Sequence, residues 1–495
     1  MYYDVCIIGG GIIGSLVARQ LSKYDLKIAV LEKNVDLSME ATGANSGIVH
    51  AGYDAKPGSL KAKFNVEGSK LMEDLCKDLD VKFKKAGSFV IAFNKEEEDI
   101  LESLYQNGLK NHVEGLSIVD GDFVIEKEPY INKEVTKALY AKNAGIVSPY
   151  KLNFAAMDNA ILNGITLLRE TKVVSIEKED DLFKVGVEVT GHICSKSLVD
   201  PINEEDRKDI RAKIIINAAG VYSDDISKMI GDDSFTIIPR RGEYILFDKT
   251  EGHKVTSVIF QTPTPLGKGV LVTATVDGNY MIGPDATVIT EKDDKCTNQE
   301  NLDFVYDTAQ KSFTGLNMKK SITVFAGIRA TPNTGDFIIE HSKIDKNFIN
   351  LAGIESPGLT AAPAIALYVE DMVKSLVELK EKDSYIMKLE PKKAFNEMTN
   401  EEKSQVCQDD GACRKVICRC EIVTEKEIVA SIYAPCGART VDGVKKRTRA
   451  GMGRCQGSFC APQVMRILSE HTGIDINEIS KANEKSCLLG RYSRD

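Results

Sequence analysis

The start of the chain alternates apolar runs with a glycine-rich turn, in an order that predicts a strand, a helix and a second strand. Residues 2–8, YYDVCII, form a continuous apolar run, which is typical of a strand buried on both faces. Residues 9–23, GGGIIGSLVARQLSK, open with glycines and continue at helical spacing, and residues 27–33, KIAVLEK, form the second apolar run. Together these stretches predict a βαβ unit.

Apolar periodicity divides the middle of the chain between strands and one helix. Alternating patterns predict strands or hairpins over 86–94, 172–189 and 242–248, and a continuous apolar run predicts a buried strand over 212–220. Residues 64–79 have the apolar spacing of a helix. We find no internal repeat.

The pattern changes towards the end of the chain. Residues 347–380 predict a strand, a Gly/Pro turn and a long helix, whereas the polar stretch 390–415 has little apolar periodicity and predicts a linker. Beyond it, a helix over 424–433 begins with a capping-box pattern, and a second helix is predicted over 461–473. The tail is therefore expected to be a small helical module.

Composition restricts the class of protein. At 495 residues the chain is too long for one compact core, and its net charge of −9 argues against nucleic acid or an anionic membrane as the main partner. The N-terminus lacks the basic start of a signal peptide, and the uncharged run 356–369 is shorter than the roughly 20 residues of a membrane span. A cytoplasmic protein without a transmembrane segment is expected.

The glycine-rich turn predicts a dinucleotide site. Gly9, Gly11 and Gly14 form G-x-G-x-x-G directly after a strand, and Glu32 ends the next strand. Such glycines let a pyrophosphate approach a helix N-terminus, and the acidic residue can bind ribose hydroxyls. A tight turn without a ligand is the simpler alternative, and this motif does not separate FAD from NAD.

Four further blocks separate the two cofactors. Residues 41–68, ATGANSGIVHAGYDAKPGSLKAKFNVEG, resemble the second cofactor loop of flavoenzymes in the D-amino-acid-oxidase superfamily. Residues 216–226, 325–340 and 353–366 fit the same branch, which holds glycerol-3-phosphate oxidases and dehydrogenases and L-2-hydroxyglutarate oxidases. The resemblance spans about 1–380 and implies FAD as the cofactor.

The resemblance also implies the fold and the cofactor contacts. An α/β fold is expected, with a Rossmann-like FAD-binding domain (1–80, 145–225 and 326–389), a substrate domain with a mixed or antiparallel sheet (81–144 and 226–325), a linker (390–415) and a helical iron–sulfur module with its tail (416–495). The expected FAD contacts are Gly9, Gly11, Gly14, Glu32, Thr42, Asn45, Ser46, Gly47, Val174, Ala219, Gly220, Gly353, Gly358 and Leu359.

His50 is the candidate base. It lies in the small-residue run SGIVHAG, and the chain has six histidines. Oxidising a secondary alcohol requires removal of the hydroxyl proton as a hydride leaves carbon, and imidazole, with an unperturbed pKa of about 6.5, can accept that proton. In the family this position lies beside the flavin, although a structural histidine is the simpler alternative.

Cations are expected to hold an anionic substrate. Arg329 offers a planar fork of donors that suits phosphate or carboxylate, and Lys268 offers a compact charge on a glycine-flanked turn. The resemblance places both towards substrate and Ser356 near substrate or flavin; a structural ion pair and an exposed loop lysine are the alternatives. Residues 263–286 look more like the glycerol-3-phosphate branch, so sn-glycerol 3-phosphate is the expected substrate and L-2-hydroxyglutarate the runner-up.

Eight of the twelve cysteines lie in the last 89 residues, which is typical of metal binding in a reducing compartment. Cys418 and Cys420 form C-x-C, and Cys455 and Cys460 follow as C-x-x-x-x-C. Four soft thiolates suit an iron–sulfur cluster or zinc. Residues 416–470 resemble the bacterioferritin-associated-ferredoxin-like domain fused to flavin dehydrogenases, which implies a [2Fe-2S] cluster on these four cysteines.

Other tail residues leave alternatives open. The run VKKRTRAGMGR at 444–454 would offset the charge of a cluster. A solvated helix face is the simpler alternative, and a docking face for an electron-transfer partner stays open. Cys407 and Cys413 match no ligand position of the family, so a second metal and incidental thiols are both possible.

The joined modules imply a partner. A flavin carries two electrons and a [2Fe-2S] centre accepts one at a time, which implies a dehydrogenase that reduces an acceptor protein or subunit. Peripheral association with a membrane through such a partner stays open. The alternative from another class is a non-catalytic relay subunit with zinc in its tail, which the presence of His50 together with Arg329 argues against.

Overall fold

The computed structural model describes residues 1–198, 209–263, 269–409 and 411–489. The described strands are β1 (Tyr2–Ile8), β2 (Ile28–Leu31), β3 (Ile48–Val49), β4 (Phe83–Lys84), β5 (Ser88–Ala92), β6 (Leu116–Asp120), β7 (Lys137–Ala141), β8 (Gly145–Val147), β9 (Thr166–Leu168), β10 (Thr171–Glu179), β11 (Leu182–Val189), β12 (Ile210–Asn217), β13 (Ile237–Phe247), β14 (Val258–Gln261), β15 (Leu271–Ala274), β16 (Tyr280–Gly283), β17 (Thr287–Val288), β18 (Ser321–Pro332), β19 (Ile338–His341), β20 (Phe348–Ala352), β21 (Val416–Cys418) and β22 (Val423–Thr424).

The described helices are α1 (Ile12–Leu21), α2 (Leu60–Asp78), α3 (Lys95–Lys110), α4 (Gly121–Lys127), α5 (Pro149–Leu162), α6 (Ser223–Lys228), α7 (Gln299–Ser312), α8 (Gly358–Lys374), α9 (Asn400–Asp409), α10 (Glu425–Ile432), α11 (Val441–Thr448) and α12 (Ala461–Thr472). Among the residues that the structure describes, no helix is both long enough and apolar enough to cross a membrane.

The first sheet is built around β1. Its described strands run in the order β10-β11-β12-β1-β2-β9, with β20 beside β12 and β19 beside β20. The strands β20, β12, β1, β2 and β9 are parallel, and most of their residues are apolar and buried, as expected for strands covered on both faces. The turn from β1 into α1 therefore lies at the carboxyl ends of central strands, where open α/β sheets bind ligands.

The two faces of this sheet are covered differently. Val5 and Ile7 of β1 belong to the apolar core shared with α1, α5 and α8. Cys6 and Ile8 point into a second core, which also contains apolar residues of the tail module such as Ile428. The tail module thus covers one face of the parallel sheet.

The second sheet has the order β17-β13-β16-β15-β14-β5-β7-β6 in the described chain, with β18 on the other side of β13. Its pairs are antiparallel except β14 with β5, so the sheet is mixed. The long β13–β18 pair places Gly242 opposite Gly327 and Arg240 opposite Arg329. This pair forms the roof of the cavity described below.

The tail module contains the β21–β22 hairpin and helices α10, α11 and α12. Thr424 caps α10 through a reciprocal pair of hydrogen bonds with Glu427, as the sequence predicts, and Gly473 ends α12 in the left-handed region. The predicted linker contains α9, and its Phe395 N–H donates to Glu427.

The predicted class is confirmed: an α/β fold with a Rossmann-like parallel sheet, a mixed sheet and a small helical module.

Candidate functional site

A cavity of about 1060 Å³ lies between the carboxyl ends of the parallel sheet and the β13–β18 pair. Most residues predicted to contact cofactor or substrate lie on its wall: Gly9, Gly11, Glu32, Thr42, Asn45, Ser46, His50, Ala219, Gly220, Arg329, Ser356, Gly358 and Leu359. Of the predicted residues that the structure describes, four are not among the lining residues: Gly14, Gly47, Val174 and Gly353. The fold therefore gathers widely separated stretches of sequence at one place.

The turn from β1 into α1 depends on glycine for close packing. Gly9 has a φ of 108°, and a Cβ on Gly9 would lie 2.5 Å from the carbonyl oxygen of Ala218. A Cβ on Gly14 would lie 2.0 Å from the carbonyl oxygen of Gly9. Gly14 therefore lets α1 pack against the turn, while Gly11 at the start of α1 lines the cavity.

Glu32 follows β2 and reaches back to the turn. Its Oε2 accepts a hydrogen bond from Gly10 N at 2.9 Å, and its Oε1 accepts from the backbone N and Nδ2 of Asn34 at 2.9 and 2.8 Å. Burial raises the pKa of the Glu32 carboxyl, against the effect of these backbone N–H groups. Because the side chain lines the cavity, its remaining lone pairs can accept hydrogen bonds from a ribose.

The loop after β2 is tied to the start of α1. Thr42 Oγ1 accepts a hydrogen bond from Ile12 N at 3.1 Å. Asn45 Nδ2 donates to two carbonyls of the preceding turn, and Asn45 Oδ1 accepts from Gly47 N at 2.8 Å. Asn45 and Gly47 thus shape the loop, and Ser46 between them lines the cavity.

Two of the predicted contacts, Val174 and Gly353, do not line the cavity, whereas residues close to them in sequence do. The side chain of Val174 is 44% exposed, whereas the neighbouring Val173 is buried and lines the cavity, because successive strand residues face opposite sides. Gly353, with a φ of 62°, shapes the turn before α8, and Gly358 and Leu359 at the start of α8 line the cavity.

His50 follows β3 and lies on the wall of both the large cavity and a smaller chamber of about 280 Å³. Its backbone N–H donates to Thr360 Oγ1 at 3.0 Å, and Thr360 in turn donates to the carbonyl of Ile48 at 3.3 Å. The imidazole centroid lies 5.8 Å from that of Phe260. The buried Thr360 of α8 therefore fixes the backbone position of His50.

Arg329 is held by the backbone of the neighbouring strands. Its Nη2 donates to the carbonyl of Asp285 at 3.1 Å, and a Cβ on Gly242 would lie 2.7 Å from Nη2, so glycine in β13 makes room for the guanidinium. No carboxylate of the described residues forms an ion pair with Arg329. Its charge is therefore available to an anion in the cavity.

Other wall residues complete the substrate side. Ser356 lies where the cavity and the chamber meet. The adjacent Glu355, which sequence reasoning missed, pairs with Lys61 Nζ at 2.8 Å and accepts from Thr331 Oγ1 at 2.7 Å. No local pattern signals a pair so distant in sequence. Lys268, the second predicted cation, lies outside the described residues.

Tyr244 of β13 is another wall residue that sequence reasoning missed. Its ring stacks on Phe325 of β18 with centroids 4.8 Å apart. Burial raises the pKa of the Tyr244 phenol, while the nearby Arg329 guanidinium lowers it. The alternating pattern of 242–248 could have indicated an inward side chain, but only the β13–β18 pairing brings it beside Arg329.

The four predicted cysteine ligands lie together as two pairs. The Sγ atoms of Cys420 and Cys455 are 3.7 Å apart, and a hydrogen bond from the Cys460 thiol lowers the pKa of Cys418 to about 6. This favours a thiolate, the form that binds metal. Cys418 and Cys460 are buried, whereas Cys420 is exposed and Cys455 is half-buried.

Two thiol pairs match the four cysteine ligands of a [2Fe-2S] cluster. Within the described ranges, no group of three or more His, Cys, Asp or Glu side chains is placed to hold one metal ion, and this includes Cys407 and Cys413. A [2Fe-2S] cluster binds four cysteines through two irons. A Cβ on Gly453 would lie 2.3 Å from Cys420 Cβ, so this glycine lets the two cysteine loops approach.

Much of the basic run between the cysteine pairs is buried in ion pairs. Arg447 binds both carboxylate oxygens of Asp36 at 2.6 and 2.8 Å. Arg449 pairs with Glu421 at 2.7 Å and with Asp277 at 2.6 Å. A solvated helix face is therefore the wrong description of these two arginines, whose charges are balanced by carboxylates.

The cavity suits FAD in size and in the chemistry of its wall. Its volume of about 1060 Å³ is at the upper end of those of small-molecule sites. The N-terminus of α1 beside the glycine-rich turn suits a pyrophosphate, and Glu32 suits a ribose. The residues present therefore fit the cofactor that the sequence predicts.

Comparison with known proteins agrees with this geometry. Residues 4–372 match the family model FAD dependent oxidoreductase, and residues 416–470 match the model BFD-like [2Fe-2S] binding domain. The chain is 45% identical over 490 residues, 98% of each chain, to a glycerol 3-phosphate dehydrogenase of Caloramator mitchellensis. It is 31% identical over 297 residues to the mitochondrial L-2-hydroxyglutarate dehydrogenase of Pongo abelii, 59% of this chain and 69% of that one.

A solved structure is similar over much of the chain. The L-alpha-glycerophosphate oxidase of Mycoplasma pneumoniae, dithionite-reduced and with FAD bound, matches with a TM-score of 0.72 and 31% identity. The match covers 79% of this chain and 98% of that one. The cofactors are thus FAD and a [2Fe-2S] cluster, and the chain belongs to the FAD-dependent oxidoreductase family, with a BFD-like [2Fe-2S] binding domain in its tail module.

Proposed function

We propose that this protein oxidises sn-glycerol 3-phosphate to dihydroxyacetone phosphate. The main support is that His50 and Arg329 lie on the wall of one cavity, beside the start of α8. A guanidinium without a described carboxylate partner suits a phosphate, and an imidazole suits the proton of the neighbouring hydroxyl. The 45% identity to a glycerol 3-phosphate dehydrogenase supports this substrate over the hydroxy acid.

Each residue then has a defined part. Arg329 holds the substrate phosphate, and Lys268 is proposed to do the same. His50 accepts the hydroxyl proton at a backbone position fixed by Thr360, while Ser356 donates a hydrogen bond to the substrate. When bound, FAD supplies the acceptor for the hydride that leaves the carbon bearing this hydroxyl. The alcohol thus loses one proton and one hydride, which leaves a ketone.

The tail module provides an exit for the two electrons. When bound, the cluster supplies one-electron transfer. Its ligands Cys420 and Cys455 are on the solvent side, whereas Cys418 and Cys460 are buried against the protein. We therefore propose a dehydrogenase that passes electrons to an acceptor protein.

Anaerobic titration of the holoenzyme tests the substrate. Bleaching of the flavin absorption by glycerol 3-phosphate, with little bleaching by L-2-hydroxyglutarate, is expected. If only the hydroxy acid bleaches the flavin, the proposed substrate is wrong. Metal analysis of the same preparation tests the alternative: if it finds zinc and neither iron nor acid-labile sulfide, a non-catalytic subunit is supported instead.

A further inference from the structure

We propose that the solvent side of the cysteine cluster is a docking surface for an acidic one-electron carrier protein. The surface consists of Arg419, Arg454 and Phe459 beside the exposed Cys420 and the half-buried Cys455, and we call it the electron-exit face. This inference rests on the proposed function, because it specifies the kind of partner that receives the electrons.

Phe459 supplies the apolar centre of the electron-exit face. It is 82% exposed, although the next residue, Cys460, is buried and immediately precedes α12. Single exposed hydrophobic residues are common, but an aromatic ring in water directly beside a cluster ligand has the position of an interface anchor. A partner that covers Phe459 would also cover the nearby thiol pair.

The exposed charges beside the thiols are positive. Arg419 lies between Cys418 and Cys420, is exposed, and forms no ion pair with any described residue. Arg454 directly precedes Cys455, and its side chain is 67% exposed, with Nε 3.5 Å from Asp248 Oδ2.

The acidic residue nearest in sequence does not offset this charge. Glu421 is buried and bound by both Arg449 and Lys249 at 2.7 Å. The electron-exit face therefore has a rim of two exposed arginines around the thiols, on a chain whose net charge is −9.

A basic rim on an acidic protein indicates the sign of the charge on the partner's docking surface. Complementary charges raise the rate of diffusional encounter and orient the partner, and the effect falls steeply with ionic strength. A basic carrier would be repelled from the rim. Each docking event removes one electron from the reduced cluster, so two carrier molecules are reduced for each substrate molecule oxidised.

The test uses the full-length holoenzyme and two probes of opposite charge. The soluble haem domain of cytochrome b5 is an acidic one-electron acceptor, and cytochrome c is a basic one. We expect the double variant Arg419→Glu with Arg454→Glu to lower both the affinity for cytochrome b5 and its rate of reduction by about tenfold at low salt. Phe459→Ala should weaken the same binding severalfold.

Arg466→Glu is the matched control. This arginine lies on α12 of the same module, has a side chain that is 50% exposed and pairs with Glu470 at 2.8 Å. Reversing the charge of Arg466 changes the net charge by the same amount as reversing Arg419 or Arg454 alone, but it should leave cytochrome b5 binding within about twofold. The single variant Arg454→Glu carries the same change of charge and is measured beside it. The docking proposal is overturned if Arg466→Glu weakens cytochrome b5 binding as much as Arg454→Glu does.

Two further measurements separate the alternatives. Reducing the cluster with dithionite and removing the excess reductant anaerobically before the carrier is added makes the assay independent of glycerol 3-phosphate, so a wrong substrate assignment cannot mimic a docking failure. A potentiometric titration shows whether charge reversal alters the cluster itself. If a shift in its potential accounts for the whole loss of rate and binding is unchanged, Arg419 and Arg454 balance the cluster charge and the surface is not a docking site.

Discussion

Arg449 Nη1 lies 2.6 Å from Asp277 Oδ2, and this ion pair joins the tail module to the turn between β15 and β16 of the mixed sheet. The same guanidinium binds Glu421, the residue after Cys420, at 2.7 Å. Burial alone would raise the pKa of the Asp277 carboxyl, but Arg449 holds it below its ordinary value. One arginine therefore fixes a cysteine loop against the sheet that roofs the cavity.

Arg449→Met should destabilise the protein, because it removes the partner of the Asp277 carboxylate and one of the two cations that bind the buried Glu421. The expected loss in the free energy of unfolding is about 3–5 kcal/mol. Thermal unfolding monitored by circular dichroism would measure it, with Arg466→Met at an exposed position as the control. An unchanged unfolding temperature in Arg449→Met would show that the ion pairs contribute nothing net.

His50→Gln should slow flavin reduction without preventing substrate binding. Loss of a general base typically lowers the rate about 100- to 10,000-fold. Anaerobic stopped-flow measurement of flavin bleaching at saturating glycerol 3-phosphate would show this decrease. His253→Gln, at an exposed histidine that bonds to a backbone carbonyl, serves as the control. A rate within twofold of the wild type would exclude His50 as the base.

Arg329→Met should act mainly on the binding of the phosphate. Loss of a charged hydrogen-bond donor costs about 1.5–3 kcal/mol, or roughly 10- to 150-fold in kcat/KM. Steady-state kinetics should show a raised KM and competitive inhibition by inorganic phosphate that is weakened in the variant. An unchanged KM for glycerol 3-phosphate would place the phosphate elsewhere.

Cys455→Ser should separate the two halves of the reaction. Substrate should still bleach the flavin within about twofold of the wild-type rate, because the variant residue lies in the tail module away from the cavity wall. Reduction of cytochrome b5 should fall to the background level, since one of the four ligands is lost. The cluster content is measured by electron paramagnetic resonance, and full carrier reduction without a cluster would contradict the proposed electron route.

The Asp36–Arg447 pair should make stability depend on acid pH. Burial alone would raise the pKa of the Asp36 carboxyl, but the ion pair with Arg447 holds it below its ordinary value. A folded-state pKa below the unfolded value means that the stabilisation is complete above about pH 4 and is lost as the pH falls through the folded pKa. Urea unfolding of Asp36→Asn should therefore show a weaker decline towards low pH than the wild type.

Local sequence signals predicted much of the fold. The apolar runs of β1 and β2 and the capping box at Thr424 identify their elements without any tertiary information. The glycine-rich turn and the paired cysteines were also visible, because a backbone close approach and metal binding restrict residue type at fixed spacing.

The remainder depends on contacts between distant segments. Val173 lines the cavity and Val174 does not, because the register of a strand decides which face each residue occupies, and a shift of one residue reverses the faces. Glu355 and Lys61 meet only once α8 and α2 pack together. Whether Arg447 is solvated or buried depends on Asp36, more than 400 residues away in sequence.

The cover that the tail module provides for one face of the parallel sheet has an evolutionary consequence. The Mycoplasma pneumoniae oxidase matches over 98% of its own length but only 79% of this chain. In a homologue without this covering, positions equivalent to Cys6 and Ile8 would face water or another cover. The residues on this face of the sheet are therefore expected to be more polar in a homologue that leaves the face open to water than in this chain.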